Sequence, residues 1–366
     1  MARKMNGLSR DLIIHPGETL KEMLRDRNIN QRELAMRTGL TEKHISNVVN
    51  CKKPISVSFA KKLEYVFGVD ASFWISLQGN YDRELADFEE IHGVTDHEIE
   101  ILGRLSAIVE HLQELRLVEQ ESDDSLLVIA LRRFLNVSNL ANMANLSRVG
   151  AYRIAKRAHS DPFAVYTWLR MCDAIVDADQ STIDLDTHRL RANLPLIREL
   201  MFEDAATIQP VLKAYLSECG IKFTIVKHFP GVPIQGVITK DEDGTLGFIM
   251  TVRYKFADIF WFTLFHEIGH ILNGDVADHL IDYDCTENEV EKKADEFAAN
   301  ILIDPEEYER FVASGDYSLR RIKQFCVGEG IPPYILIGRL QRDRYLQYDQ
   351  HSKYKVRYEL EDLVGS

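Results

Sequence analysis

Two histidines flank a glutamate in the run His266-Glu267-Ile268-Gly269-His270. On a helix, positions four apart share a face, so His266 and His270 can offer two imidazole nitrogens to one metal ion. Zn²⁺ accepts such ligands at about 2 Å and tolerates a tetrahedral site with one open position. Glu267 points to a neighbouring face and can take a proton from a water that the metal acidifies, which is the arrangement of metal-assisted hydrolysis. A third protein ligand is needed. Glu291 and Asp295 stand four apart in a second helical pattern, and Glu291 is the expected ligand. Asp295, one turn later, is expected to accept the outer ring N–H of a ligating histidine and so fix its tautomer. A third histidine six residues after His270 would mark another ligand class, but that position is Val276. Glu287, Glu289 and Glu296 fit a solvated helix face better than a ligand role.

These side chains need rigid supports. Phe260, Trp261, Phe262, Leu264, Phe265, Ile268, Ile271 and Leu272 surround the histidines, so the segment reads as a buried helix. Ala294, Phe297, Ala298, Ile301 and Leu302 give the second helix one apolar face. Three β-rich runs come earlier, Phe223–Val226, Gln235–Thr239 and Gly247–Val252, with a hairpin turn expected at Asp241–Gly244. An edge strand beside the active helix could bind an extended peptide by strand addition. Oxyanion stabilisation requires a further donor, and Tyr254, His279 and Tyr283 are all candidates.

Residues 17–80 read as five short helices. Asn30 caps the second, with Glu33 expected to reach back in a capping box. Gly39 makes the turn and Thr41 caps the third helix, whose Ile45, Val48 and Val49 face inward. Two short helices joined by a glycine turn form a helix-turn-helix, with the second in the DNA major groove. Glu42, Lys43, His44, Ser46, Asn47 and Asn50 face outward, with Asn47 suited to adenine and Lys43 and His44 to guanine or phosphate. Gln31 and Arg32 suit phosphate contact through a helix N-terminus, and Lys52 and Lys53 suit the backbone.

Charge supports this division. Residues 1–80 hold 13 Lys/Arg against 8 Asp/Glu, a balance of +5; the remainder holds 31 against 49, or −18. A basic head on an acidic body confines nucleic-acid contact to the head. No run reaches the roughly 18 apolar residues of a membrane span, and no apolar core follows the charged start, so neither membrane insertion nor a signal peptide is expected. Five scattered cysteines, with no CxxC pair, read as reduced and cytoplasmic, without a metal role. Between the two ends, Leu105, Ile108, Val109, Leu112 and Leu115, then Leu126, Leu127, Ala130, Leu131 and Phe134, make helical stripes suited to a core or a dimer seam.

The segments His15–Leu20, Gln31–Ala35, Ile45-Ser46 and Phe73–Tyr81 resemble HigA-type antitoxins of the Xre helix-turn-helix class over about residues 12–85. The HEIGH and EKKAD segments, with Phe262–Phe265 before them and Phe297–Ala299 after, are similar to the ImmA/IrrE metallopeptidases over about residues 195–345. That family often carries an acidic or polar residue where Lys293 stands, which leaves Glu291 untouched. Together the readings predict a mainly α chain with a small β-sheet. A five-helix, lambda-repressor-like domain would occupy 12–85, a helical linker or dimerisation region 86–195, an α+β zincin-like domain 196–345, and a tail 346–366. The resemblances imply a homodimer on palindromic operator DNA, a HigB-type toxin partner and a protein substrate. Two functions remain open: a DNA-binding regulator that also cleaves a protein, or a regulator whose metal-site domain senses a signal or binds a toxin.

Overall fold

Capping and turn chemistry set the helices of the N-terminal unit. In the computed structural model, which describes residues 10–150, 160–179, 183–240, 245–274 and 287–359, helix α1 (Pro16–Asp26) opens with Pro16 in its first turn. Helix α2 (Gln31–Thr38) is capped by Asn30, whose Oδ1 accepts from Glu33 N at 2.9 Å, and it ends on Gly39 at φ 65°. Glycine alone adopts that left-handed conformation without a Cβ penalty. Thr41 caps α3 (Glu42–Val49), and α4 (Val57–Phe67) and α5 (Ala71–His92) complete the bundle. Leu20, Leu34, Ile45, Val48, Phe59, Leu63 and Trp74 are its buried core. A Cβ on Gly17 would lie 2.1 Å from Val48 O, so α1 and α3 approach only because that residue is glycine. One expectation fails: the Glu33 side chain pairs with Arg37 one turn on, so only the Asn30 half of the capping box forms. An i,i+4 partner on the same face competes with the reach back to the cap.

The chain divides into two compact units, residues 1–100 with 121–130, and residues 101–120 with 131–366. The helical stretch 86–195 is therefore shared between them. It contains α6 (Asp96–Arg104), α7 (Ser106–Glu114), α8 (Asp124–Leu135), α9 (Met143–Gly150) and α10 (Pro162–Asp177). Ile108, Val109 and Leu112 are buried as expected, whereas on α8 the buried apolar residues are Val128, Ile129, Leu131 and Leu135, and Leu126, Leu127, Ala130 and Phe134 are only half-buried.

In the second unit, α11 (Thr187–Glu199) and α12 (Ala205–Ser217) precede a three-stranded sheet. Its strands are β1 (Ile221–Val226), β2 (Gly236–Lys240) and β3 (Leu246–Thr251), in the order β1-β3-β2. β1 runs parallel to β3 and β2 antiparallel to it, with Val237 opposite Ile249. β3 is buried throughout and β2 is half-buried at one edge. Helices α13 (Ala257–Asn273), α14 (Glu287–Leu302), α15 (Pro305–Ala313), α16 (Leu319–Glu329) and α17 (Pro333–Arg342) follow. Phe223, Phe248, Trp261, Leu264, Phe265, Ile268, Ala298, Ile335 and Leu336 form the common core. Arg198 on α11 donates to Leu302 O (3.2 Å) and Glu329 O (2.9 Å), satisfying the C-terminal carbonyls of α14 and α16.

The last described residues fold back onto α13. Ala257 N donates to Val356 O at 3.0 Å, Tyr358 N to Lys255 O at 2.7 Å, and Trp261 Nε1 to Tyr358 Oη at 3.0 Å. Lys355 pairs with Asp258 at 2.8 Å in a nearly dry setting. Among the described residues no helix is long and apolar enough to cross a membrane.

Candidate metal centre and nucleic-acid interface

α13 is apolar on nearly every face and ends on Gly274 at φ 75°. The exception is a row four residues apart, Phe262, His266 and His270, all half-buried, with Thr263 and Glu267 on its flank. Glycine and alanine bring α14 against that row. A Cβ on Gly269 would lie 3.3 Å from Ala294 Cα and 3.1 Å from Phe297 Cδ1, so the two helices meet closely there. Glu291 and Asp295, either side of Ala294 on α14, are thereby set over the histidines.

His266 Nε2 lies 3.0 Å from His270 Nε2 and 3.4 Å from Glu291 Oε2, and His270 Nε2 lies 3.7 Å from Glu291 Oε1. Asp295 Oδ1 sits 2.9 Å from His266 Nδ1. A carboxylate can only accept, so Nδ1 carries the proton and Nε2 presents a lone pair. Two imidazole nitrogens and a carboxylate oxygen thus converge within 4.8 Å. Tetrahedral bonds of 2.0–2.1 Å imply donor–donor separations of about 3.3 Å, which these three distances bracket. The donor set fits a zinc ion.

The local charges agree. Burial works against protonation of His266, but hydrogen bonds to Asp295 and Glu291 overcome it and raise its pKa to about 9, so the pocket favours a positive charge. The same hydrogen bonds hold Glu291 and Asp295 below the usual carboxylate range. Burial pushes Glu267 up to about 7, a value suited to taking and returning a proton. Its side chain lies under the start of β2: a Cβ on Gly236 would come 2.8 Å from Glu267 Cγ and 2.9 Å from Oε1. The preceding Gln235 accepts from Thr263 Oγ1 at 3.0 Å, tying that strand to α13 one turn before Glu267.

Of the expected oxyanion donors, Tyr254 is 45% exposed and carries the Arg253 guanidinium over its ring. His279, Tyr283, Cys285, Val276 and the Asp241–Gly244 turn lie outside the described residues. The four described cysteines are free thiols, Cys51 exposed and Cys172, Cys219 and Cys326 buried. Sequence reasoning missed Arg342, whose guanidinium stacks 4.1 Å over Phe262 in line with the two histidines.

In the head, Lys43, Asn50, Lys52, Lys53 and Arg32 are exposed, and Gln31, Ser46 and Asn47 half-exposed. Cys51 at φ 58° turns the chain just before the two lysines. Asn50 Nδ2 donates to Ser46 O at 2.8 Å, which ties it to its own helix. His44 stands apart from the group: its ring packs edge-on against Phe59 at 5.5 Å and its Nε2 is buried without a partner. Phe59 offers more apolar contact than water does, so the ring turns inward while Lys43 stays out.

Comparison with known proteins agrees at both ends. Residues 20–74 match the helix-turn-helix family model, and residues 256–327 match the model of the IrrE N-terminal-like domain. Virulence-associated protein A' of Dichelobacter nodosus is 38% identical over 69 residues, 19% of this chain and 60% of that protein. The match thus spans under two thirds of that relative's length. Virulence-associated protein I of the same organism is 32% identical over 75 residues, 20% of this chain and 69% of that protein. The Pseudomonas aeruginosa antitoxin HigA, solved with the higBA promoter, is 25% identical, covers 30% of this chain and 96% of that one, and has a TM-score of 0.20.

Proposed function

We propose, for a chain that belongs to the helix-turn-helix family and carries an IrrE N-terminal-like domain, that it is a DNA-binding transcriptional regulator with a zinc-dependent peptidase activity. Residues 12–85 read operator DNA as a homodimer, 86–195 link and dimerise, and 196–345 hold the metal and the protein substrate, with 346–366 as the tail. The observation that carries this reading is the convergence of His266, His270 and Glu291, with Asp295 behind His266.

His266, His270 and Glu291 would hold zinc. When bound there, zinc supplies a Lewis acid that acidifies water and polarises a carbonyl. Glu267, with a pKa near neutrality, accepts the proton of the attacking water and passes it to the leaving amine. Gly236 lets β2 lie close over that carboxyl, and the edge of β2 away from β3, unpaired among the described residues, offers an extended peptide main-chain hydrogen bonds. In the head, Lys43, Lys52, Lys53 and Arg32 hold phosphates, while Asn47 and Ser46 reach base edges. A HigB-like toxin is the proposed partner and the cytoplasm the proposed location. Should cleavage be absent, the same metal-site domain is left as a sensor or toxin-binding module.

The test is metal content by plasma mass spectrometry, on wild type beside Glu291→Ala, with Glu267→Gln assayed against the co-purified partner. The expected result is one zinc per chain, lost in Glu291→Ala. Glu267→Gln should keep its zinc and lose cleavage. Wild type that binds no zinc when resupplied would sink the metal reading, and cleavage by Glu267→Gln would sink the proton-transfer role.

A further inference from the structure

The row on α13 continues past the histidines to a guanidinium. Phe262, His266 and His270 stand four residues apart, so Phe262 is roughly 6 Å along the helix axis from His266. Arg342, the last residue of α17, lays its guanidinium 4.1 Å above the Phe262 ring, and Phe262 and His266 are 6.3 Å apart between ring centroids. At that distance the ring face attracts the cation and holds it beside the histidine row. The Arg342 side chain is 40% exposed.

Its ion pairing is incomplete. Arg342 Nε is 3.5 Å from Asp343 Oδ1, but Asp343 Oδ2 already takes Tyr308 Oη at 2.7 Å and Arg339 Nε at 2.7 Å. Asp295 acts on Arg342 only through its charge, its hydrogen bond being to His266. Two guanidiniums, Arg339 and Arg342, thus share one well-bonded carboxylate. Asp343 is the hydrogen-bonding partner of Arg342, through Nε at 3.5 Å, and among the described residues no hydrogen bond joins its Nη atoms to another side chain.

The position relative to β2 gives this cation a use. Gln235 bonds Thr263 and Gly236 covers Glu267, so the β2 edge runs beside the same two turns of α13 that carry Phe262 and His266. An extended peptide advances about 3.3 Å per residue. A chain with its reacting carbonyl at the histidines therefore brings a group one or two residues away under Arg342.

We propose that Arg342 forms a carboxylate subsite, which selects peptides carrying an acidic side chain, or the chain-terminal carboxylate, one or two residues from the bond at the histidines. Arg342 binds this group bidentately through its Nη edge, with the Phe262 ring holding the cation beside the histidine row. The inference rests on the metal reading above, and its test separates the two.

The probes are peptidyl hydroxamates, which anchor on the metal. Two series place a dipeptide on either side of the hydroxamate. Each carries Glu or Gln at the first or second residue, and the C-terminal series ends as a carboxylate or an amide. Binding to the zinc-loaded full chain is measured by titration calorimetry. The expected result is a preference of about tenfold for Glu over Gln, or for carboxylate over amide, in one series, the size of one part-exposed charge-assisted pair. Which contrast appears identifies the source of the carboxylate. Arg342→Met, which keeps apolar bulk over Phe262, should abolish the preference while the neutral probe binds within twofold of wild type; Arg342→Lys should keep part of it. Binding without discrimination in both series overturns the subsite alone. Loss of zinc affinity in Arg342→Met overturns it too, by making Arg342 a support for Asp295. Wild type that binds no hydroxamate overturns the metal reading and this inference with it.

Discussion

Removing the Asp295 carboxylate isolates what lies behind the candidate metal-binding atoms. Asp295 touches His266 Nδ1 at 2.9 Å and has no ligand atom in the converging group. Its loss leaves His266, His270 and Glu291 in place but frees the His266 ring to turn and to change tautomer. Partners of this kind typically contribute 10–100-fold in metal affinity, or about 1.4–2.8 kcal/mol. The Asp295 side chain is 57% exposed, and solvent screening discounts an exposed charge. Asp295→Ala should therefore weaken zinc binding by about tenfold, the low end of the range. Asp295→Asn, which retains an acceptor without the charge, should lose only about threefold. The assay is competition with a chromogenic chelator at pH 7.5, with circular dichroism confirming equal helix content. Glu296→Ala, one residue on and facing solvent, is the control. Unchanged affinity in Asp295→Ala, or an equal fall in the control, would refute the argument that this hydrogen bond sets the ligand.

Other perturbations test other joints. Gly17→Ala puts a Cβ 2.1 Å from Val48 O; backbone must move, so the head should lose about 1–3 kcal/mol, read as a lowered midpoint in urea. Lys43→Ala and Lys52→Ala should each weaken binding to operator DNA uniformly across sequences and lower the salt slope by about 0.9; an unchanged slope in a filter-binding titration would count against phosphate contact. Tyr358→Phe removes the acceptor for buried Trp261 Nε1 and should cost about 1–3 kcal/mol through the stranded donor, measured by thermal melting of the second unit with operator affinity unaffected.

Local chemistry was readable wherever partners are near in sequence. Asn30, Gly39 and Thr41 mark their helix ends because capping is a contact within three or four residues. The histidine pair follows from helical spacing alone, and the Glu291/Asp295 pairing from the same rule on the next helix. What spacing does not encode is competition between contacts. Glu33 has both Asn30 and Arg37 in reach and takes Arg37. His44 sits at an outward position by periodicity, yet Phe59 from another helix draws it in. Arg342 is 76 positions from His266 and reaches the site only because α17 packs on α13. Gly338 allows that approach, since a Cβ there would lie 2.2 Å from Asp258 Oδ2. The β1–β3 parallel pairing was equally hidden, since it joins strands that are not neighbours in the chain.

The return of residues 355–358 onto α13 gives the head and the histidine-bearing helix different birth times. The head completes its core at Trp74, whereas the helix bearing the histidines gains Lys355 against Asp258 and Tyr358 against Trp261 only when those residues have been made. At about 5–20 residues per second, synthesis separates the two events by tens of seconds. A nascent chain can thus present a finished helix-turn-helix domain while the helix bearing the histidines is still unlatched. Any ligand or partner that meets the chain late in that interval meets a folded head beside a second unit that lacks its closing segment.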